Sequence, residues 1–418
     1  MFAVFVGFYK RLALPLGMAL VLLALSGSLI LDGALASSTR ARTRTRAVLL
    51  IANSYDGTVT VLDARTFHLL GRPLNVIPEG HTPVDATQRA IYPALIQNRG
   101  EVNYAQEVQA SPDGGIVYVS RGYLGDVAAF SLTTRKELWR TQMPALRADH
   151  LAITPNGGRL FVSALPGAKV YALNAATGQI EGSYQAGEWP HVLEISPDGK
   201  YVYSGSLGNQ LLPYGHDNSP HQLTIADART LRVVRTYRFD AGVRPFAFVP
   251  YSHELVLQLS YLNGFVTFDL LTGHIRRTVK LPLSEKAMRL APEAYPNQAA
   301  HHGIALSENG RIVCDAGTIS TYVALVPLGN RDARKIVSVG AAPAEALTSL
   351  DGRYCFVISR GPTGLNRAHV NGLDGDTLSV ISYARMREIA RVRVGIHPQA
   401  ETEVRVRDAV LRAGGFLR

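Results

Sequence analysis

The sequence predicts an all-β protein, a seven-bladed β-propeller of four-stranded antiparallel blades. Three observations predict it. A turn signature recurs at nearly fixed spacing, each copy is followed by a similar pair of strands, and the C-terminus supplies the one strand that the N-terminus lacks. The turns are Ser111-Pro112-Asp113-Gly114, Thr154-Pro155-Asn156-Gly157, Ser196-Pro197-Asp198-Gly199, Ser307-Glu308-Asn309-Gly310 and Ser349-Leu350-Asp351-Gly352. Their glycines are 43, 42, 111 and 42 residues apart. The long gap holds a degenerate copy, Pro250-Tyr251-Ser252-His253, and extra loop. Self-similarity at about 40 residues, built from short strands, is the mark of a propeller.

Within a repeat the elements follow in order. Strand a leads into the turn. Strand b leaves it as GIVYVS, GRLFVS, KYVYSGS, ELVLQLS, RIVCDAG or RYCFVIS. Strands c and d follow as KVYALNAATGQIEGSY (169–184), QLTIADARTLRVVRTY (222–237) and FVTFDLLTGHIRRTV (265–279), each an alternating strand, a turn and a second alternating strand. Segment 48–74 has strands b, c and d with nothing before them to serve as strand a. Val394-Gly395-Ile396-His397-Pro398 matches the lead-ins Gly187-Glu188-Trp189-Pro190, Gly242-Val243-Arg244-Pro245 and Gly340-Ala341-Ala342-Pro343. The strand near Glu401–Val406 therefore closes the first blade, which removes open sheet edges. The propeller spans 47–407, and 408–418 reads as a loose tail.

The SPDG turn, the YV strand and the V-x-V-I-D-x-x-T-like strand pair resemble the YVTN-type seven-bladed propeller family across essentially all of 47–407. No blade ends in the Trp-Asp of WD-type repeats. Only Thr177-Gly178 and Thr272-Gly273 echo the docking motif of quinoprotein dehydrogenases, without its tryptophan. The resemblance implies an exported propeller. It also implies kinship with propellers that bind haem or copper clusters through channel-mouth histidines, and with lactonases.

Composition agrees with an exported β-protein. The 418 residues carry 38 glycines and 22 prolines, 47% hydrophobic and 18% charged residues, which is a folding composition rich in turns. Half of the net charge of +10 falls in residues 1–46, where Lys10, Arg11, Arg40, Arg42, Arg44 and Arg46 face only Asp32. The remainder is only mildly basic, so nucleic acid is not an expected partner. Residues 1–36 run from Lys10-Arg11 through an apolar stretch, Leu12–Leu31, to Ala34-Leu35-Ala36. That order reads as a secretory signal. The stretch is long enough to span a bilayer, so an uncleaved membrane anchor is the alternative and a buried helix a third. Residues 37–46 read as an Arg-rich flexible linker. The expected location is outside the cytoplasm: extracellular, periplasmic or at the cell envelope. The expected state is a monomer that meets a small molecule or protein on one face.

Propeller geometry divides the loops. The a–b and c–d turns share one face, and the b–c loops and d-to-a crossovers share the other, here called the top. Every long insertion falls on the top: 75–104, 206–221, 281–300 and 359–376. Elaborated loops on a rigid scaffold are where binding sites sit. His81, His150, His191, His216, His221, His301, His302, His369 and His397 are on the top, and His68, His253 and His274 are on the bottom.

Counting back from each turn to the entrance of strand a, the channel-lining strand, gives Glu107, His150, His191, Phe246, His302, Glu345 and about Glu401. Three histidines and three carboxylates would ring the channel mouth. Imidazoles suit zinc, copper or iron, and a carboxylate completes the sphere or acts as a base. The candidate metal ligands are His150, His191 and His302. The plainer reading has them cap strand ends. Adjacent strand residues point oppositely, so of His301-His302 only one faces the channel, and His302 is the choice. Glu107 with Arg121, and Glu345 with Arg360, flank their turns symmetrically and are expected to pair across the hairpin. The functional alternative makes the two arginines an anion clamp, and these four residues with Glu401 form the candidate ligand site. Trp189 and Tyr295 would floor a pocket or pack loops.

Cys314 and Cys355 lie four and three residues beyond their turn glycines on adjacent strands b. They are read as facing opposite ways, without a disulfide. No Gly-rich phosphate loop, G-x-S-x-G elbow or H-E-x-x-H motif occurs, and nothing marks a Ser–His–Asp triad. The expected function is ligand or partner binding at the top-face channel mouth. The alternative is a metal-dependent hydrolase, lactonase or oxidase at the same place.

Overall fold

The repeat turns are built by side chains, which is why they can be read in sequence. In the first, the Ser111 hydroxyl donates to Asp113 Oδ1 (2.6 Å) and accepts the Ile116 amide (3.0 Å), while Asp113 Oδ1 also takes the Gly115 amide. Gly114 has φ +68°, a left-handed value that glycine adopts without strain. The same bonds recur at Thr154/Asn156, Ser196/Asp198, Ser307/Asn309 and Ser349/Asp351. The c–d turns use a different device. Asp63, Asn174, Asp227 and Asp269 each accept amides two and three residues on, the Asx turn that short polar side chains favour.

The computed structural model describes residues 44–77, 103–362 and 374–418. The segment read as a signal or anchor, most of the linker, most of insertions 75–104 and 359–376, and His81 and His369 lie outside the described residues. Seven four-stranded antiparallel sheets form the blades. Six run a-b-c-d in chain order. The remaining sheet takes strand a, Pro398–Arg407, from the C-terminus and pairs it with strand b, Thr45–Asn53, from Thr45↔Arg407 to Asn53↔Pro398. The closure expected from the lead-in match is therefore formed. The strand begins at Thr45, so the end of the expected linker is ordered, with Arg46 paired to Asp63 and Asp408.

Three expectations fail for definite reasons. The segment read as a loose tail forms a helix, Asp408–Ala413, whose Val410 and Leu411, with Phe416 beyond it, are buried in the core of blades 1 and 2. Arg135 lies over the Phe416 ring at 4.6 Å.

Cys314 and Cys355 form a disulfide, with Cα atoms 6.6 Å apart. Around a propeller, residues at equal offsets face the same way. Cys314 and Ala316 therefore face blade 7, while Val313 faces blade 5. Offsets that differ by one make side chains on neighbouring blades meet, so the parity taken to exclude the bond is the parity that permits it.

Glu107 and Arg121 do not pair. Glu107 lies opposite Ser120, one residue short of the expected register, and a one-residue slip reverses the face. Arg121, fully buried, instead makes a bidentate pair with Asp126 (2.6 and 2.8 Å) and also reaches Glu137 and the Val76 carbonyl. Glu345 lies opposite Ile358 rather than Arg360, although the Arg360 charge still reaches it.

Candidate metal centre at the channel mouth

The inner ends of the seven strands a meet around the axis. Five of them carry a one-residue register shift close to that end, between Ala148 and Leu151, Pro190 and Leu193, Val243 and Phe246, Pro343 and Glu345, and opposite Ala52/Asn53. Such bulges re-aim side chains. They leave two levels of residues. Eight positions before the turn stand Asp149, His191, Arg244, His302 and Ala344, and seven before it stand Glu107, His150 and Glu345. Phe246, expected in the ring, stands six before and packs with Val192, Tyr203 and Leu223 between blades. Arg244 takes its place, buried, donating to Ser260 Oγ and to the Asn297 carbonyl.

Each of the three candidate histidines commits Nδ1. His150 Nδ1 meets Glu107 Oε2 at 2.7 Å, His191 Nδ1 meets Asp149 Oδ2 at 2.6 Å, and His302 Nδ1 meets the Ala344 carbonyl at 2.7 Å. Those oxygens only accept, so Nδ1 carries a proton in all three, and in a neutral ring Nε2 is left with the lone pair. His191 Nε2 then faces His302 Nε2 at 3.2 Å. The His150 ring stands edge-on to His191, centroids 4.3 Å apart, and its buried Nε2 has no hydrogen-bond partner. Metal-binding histidines show this habit of donating the second ring N–H to a carboxylate or carbonyl. Asp149, His150 and His191 each offer a ligand atom, all within 4.8 Å of one another, so this His/Asp cluster could bind a metal. His302 stands outside that group and meets it only through the 3.2 Å approach of its Nε2 to His191 Nε2.

The charges are strongly tuned. Burial and the His150 charge push His191 down to about 3, against the pull of Asp149. Burial together with the charges of Arg360, His191 and Arg244 holds His302 well below the usual range. Burial would raise Asp149, but Arg147, 2.8 Å away, and His191 keep it ionised. Burial also opposes a charged His150, yet its bond to Glu107 and the Asp149 charge win and push it up to about 9. A charged His150 would carry a second N–H at Nε2, for which the described residues offer no acceptor.

His301 points elsewhere. Its Nδ1 meets Asp315 at 2.8 Å and its Nε2 meets Asn263 at 2.9 Å, inside the protein. Sequence reasoning missed Asp149, Arg147, Arg244 and Glu194. Asp149 and Arg244 stand at the same offset from their turns as His191 and could have been found by holding that count constant.

No family model matches the chain, and no curated protein matches it. Among solved structures, the hydrazine synthase of Kuenenia stuttgartiensis is similar at 15% identity, over 71% of this chain and 88% of that one, with a TM-score of 0.53. The dihydro-heme d1 dehydrogenase NirN, in complex with DHE, is similar at 16% identity, over 83% of this chain and 63% of that one, with a TM-score of 0.52. A 6-phosphogluconolactonase-like protein of Bacteroides fragilis is similar at 15% identity, over 86% and 98%, with a TM-score of 0.57. At these identities the likeness shows the propeller fold.

Proposed function

We propose that the chain is an exported propeller built of YVTN-type repeats, whose channel mouth holds a transition metal and presents it to a small molecule or protein arriving at the top face. One observation carries the metal. His191 and His302 aim two lone pairs at each other across 3.2 Å, and both Nδ1 protons are already committed. Two bare lone pairs repel. A shared proton would relieve them, but burial and the nearby Arg244 and Arg360 oppose an imidazolium there. A metal ion relieves them too, and two imidazoles bound to one tetrahedral ion at about 2.0–2.1 Å lie roughly 3.3 Å apart. His150 would be the third ligand, and Glu107 and Asp149 would orient their histidines. Imidazole ligands suit zinc, copper or iron. When bound, such a metal supplies Lewis acidity or, for copper and iron, electron transfer. That would make the site a hydrolase, lactonase or oxidase centre; a metal that only anchors a ligand would make it a binding module.

Export is supported by the disulfide Cys314–Cys355, since such bonds persist mainly in oxidising compartments, and by the apolar N-terminal stretch, as a cleaved signal or a membrane anchor. The test is elemental analysis of protein purified without a His-tag. Close to one zinc, copper or iron per chain is expected, lost in His191→Ala and His302→Ala and kept in the bottom-face variant His253→Ala. Protein that carries no metal, and shows no visible absorption after incubation with cobalt(II), overturns the reading.

A further inference from the structure

Beside the histidines, four glutamates on the channel strands lie close enough that their charges reach one another. Glu345, Glu401, Glu107 and Glu194 stand on the strands a of blades 7, 1, 2 and 4: Pro343–Thr348, Pro398–Arg407, Glu107–Ala110 and Pro190–Ile195. Glu345 is opposite Ile358 and Glu401 opposite Ile51. Both isoleucines belong to the core between blades 7 and 1, and residues directly opposite share a face. The two carboxylates therefore lean toward each other at the inner rim of one blade junction.

Their partners are few. Glu107 is engaged by His150, and Glu345 accepts its neighbour's amide from Ala346. Glu401 is 6% exposed, and neither of its oxygens meets a donor among the described residues. A buried carboxylate with no donor is costly, so its retention in the channel points to a donor that arrives from outside.

We infer that the channel binds an organic cation, a compound carrying protonated amines, on Glu345, Glu401 and Glu194. The inference shares the channel mouth with the metal reading but does not need the metal. Charge supports it. The four carboxylates crowd one another, and the guanidinium whose charge reaches Glu345 and Glu401 is that of Arg360. Burial and mutual repulsion accordingly raise Glu194 to about 8, Glu345 to about 7 and Glu401 well above the usual range. An ammonium group would take the place of the protons held there. Spacing argues against a bare inorganic ion. Among the described residues, the group whose ligand atoms crowd within 4.8 Å is Asp149–His150–His191, and the glutamates form no such group. Donors spread along a carbon chain reach carboxylates on separate blades.

The test is calorimetric titration and thermal shift of the whole protein, metal-loaded and metal-stripped, with 1,4-diaminobutane, 1,4-butanediol, succinate and calcium chloride. The diamine should bind and raise the melting temperature in both metal states, while the diol and the diacid do neither. Glu401→Gln should weaken diamine binding at least tenfold, and Glu308→Gln, on the bottom face, should leave it unchanged. The glutamine is isosteric and neutral, as the buried Glu401 is while it holds its proton, so the variant should melt no lower than the parent. Diol binding equal to diamine binding, calcium binding that Glu401→Gln abolishes, or no diamine binding to the parent would each overturn the inference. Diamine binding by protein that takes up no metal would sink the metal reading alone.

Discussion

The disulfide between blades 6 and 7 ties neighbouring blades at one defined point. Cys314 and Cys355 are 41 residues apart in sequence and fully buried. Closing a loop of that size removes chain entropy from the unfolded state worth about 4 kcal/mol at 25 °C. Native stabilities run to about 5–15 kcal/mol, so the bond is a large fraction of the whole. The perturbation is a strong reductant in urea denaturation, applied to the parent and to the double variant Cys314→Ala/Cys355→Ala. Reductant should destabilise the parent by about 3–5 kcal/mol and leave the variant unmoved, because only the parent has a bond to lose. A thiol count on unfolded protein supplies the independent check, none before reduction and two after. Two thiols before reduction, or an equal response of parent and variant, would refute the pairing and the argument that offsets differing by one face each other across a blade boundary.

Two further outcomes follow. Leu411→Ala, in the helix that follows the closing strand, should cost about 2–5 kcal/mol in urea denaturation, while the exposed neighbour Arg412→Ala stays near neutral; equal effects would return the segment to a tail. Glu194→Gln should change the pH profile of stability. Burial and the charges of Glu345 and Glu107 raise the folded Glu194 to about 8, so the folded state binds more protons than the unfolded chain between about pH 4.5 and 8, and the parent loses stability as pH rises through that window. The variant should match the parent near pH 4 and exceed it near pH 9; parallel profiles would deny the burial of that carboxylate.

The fold was legible because its determinants are local. The Ser–Asp–Gly turns and the Asx turns are closed by hydrogen bonds between residues two to five apart, so each leaves a compact trace at every repeat. Closure was legible for the same reason, since Gly395–Pro398 copies the lead-ins of other blades. What escaped depends on contacts between blades. The helix Asp408–Ala413 is too short to show a period, and only its packing under Arg135 and against blade 2 explains Leu411 and Phe416. The disulfide required asking which neighbour each face meets, a question that a single hairpin does not pose.

The site was half legible, and the half that was missed is a matter of level. Taken as one ring, Glu107, His150, His191, His302 and Glu345 mix positions seven and eight residues before their turns. Held at eight, the count returns Asp149, His191, Arg244 and His302, with Gln106 and Ala344. Among them are the two facing lone pairs, one carboxylate that fixes a tautomer and one arginine that discourages a shared proton. Held at seven, it returns Glu107, His150 and Glu345, with the apolar or small Val192, Pro245 and Gly303 between them. The two levels differ in chemistry because the bulges in the channel strands turn consecutive residues, which a regular strand would send to opposite faces, toward the same axis. A propeller with regular inner strands would show the channel one level at that height. Here it shows two, so the proposed metal site and the proposed cation site would share one mouth, and His150, bonded to Glu107 and edge-on to His191, is the residue that would touch both.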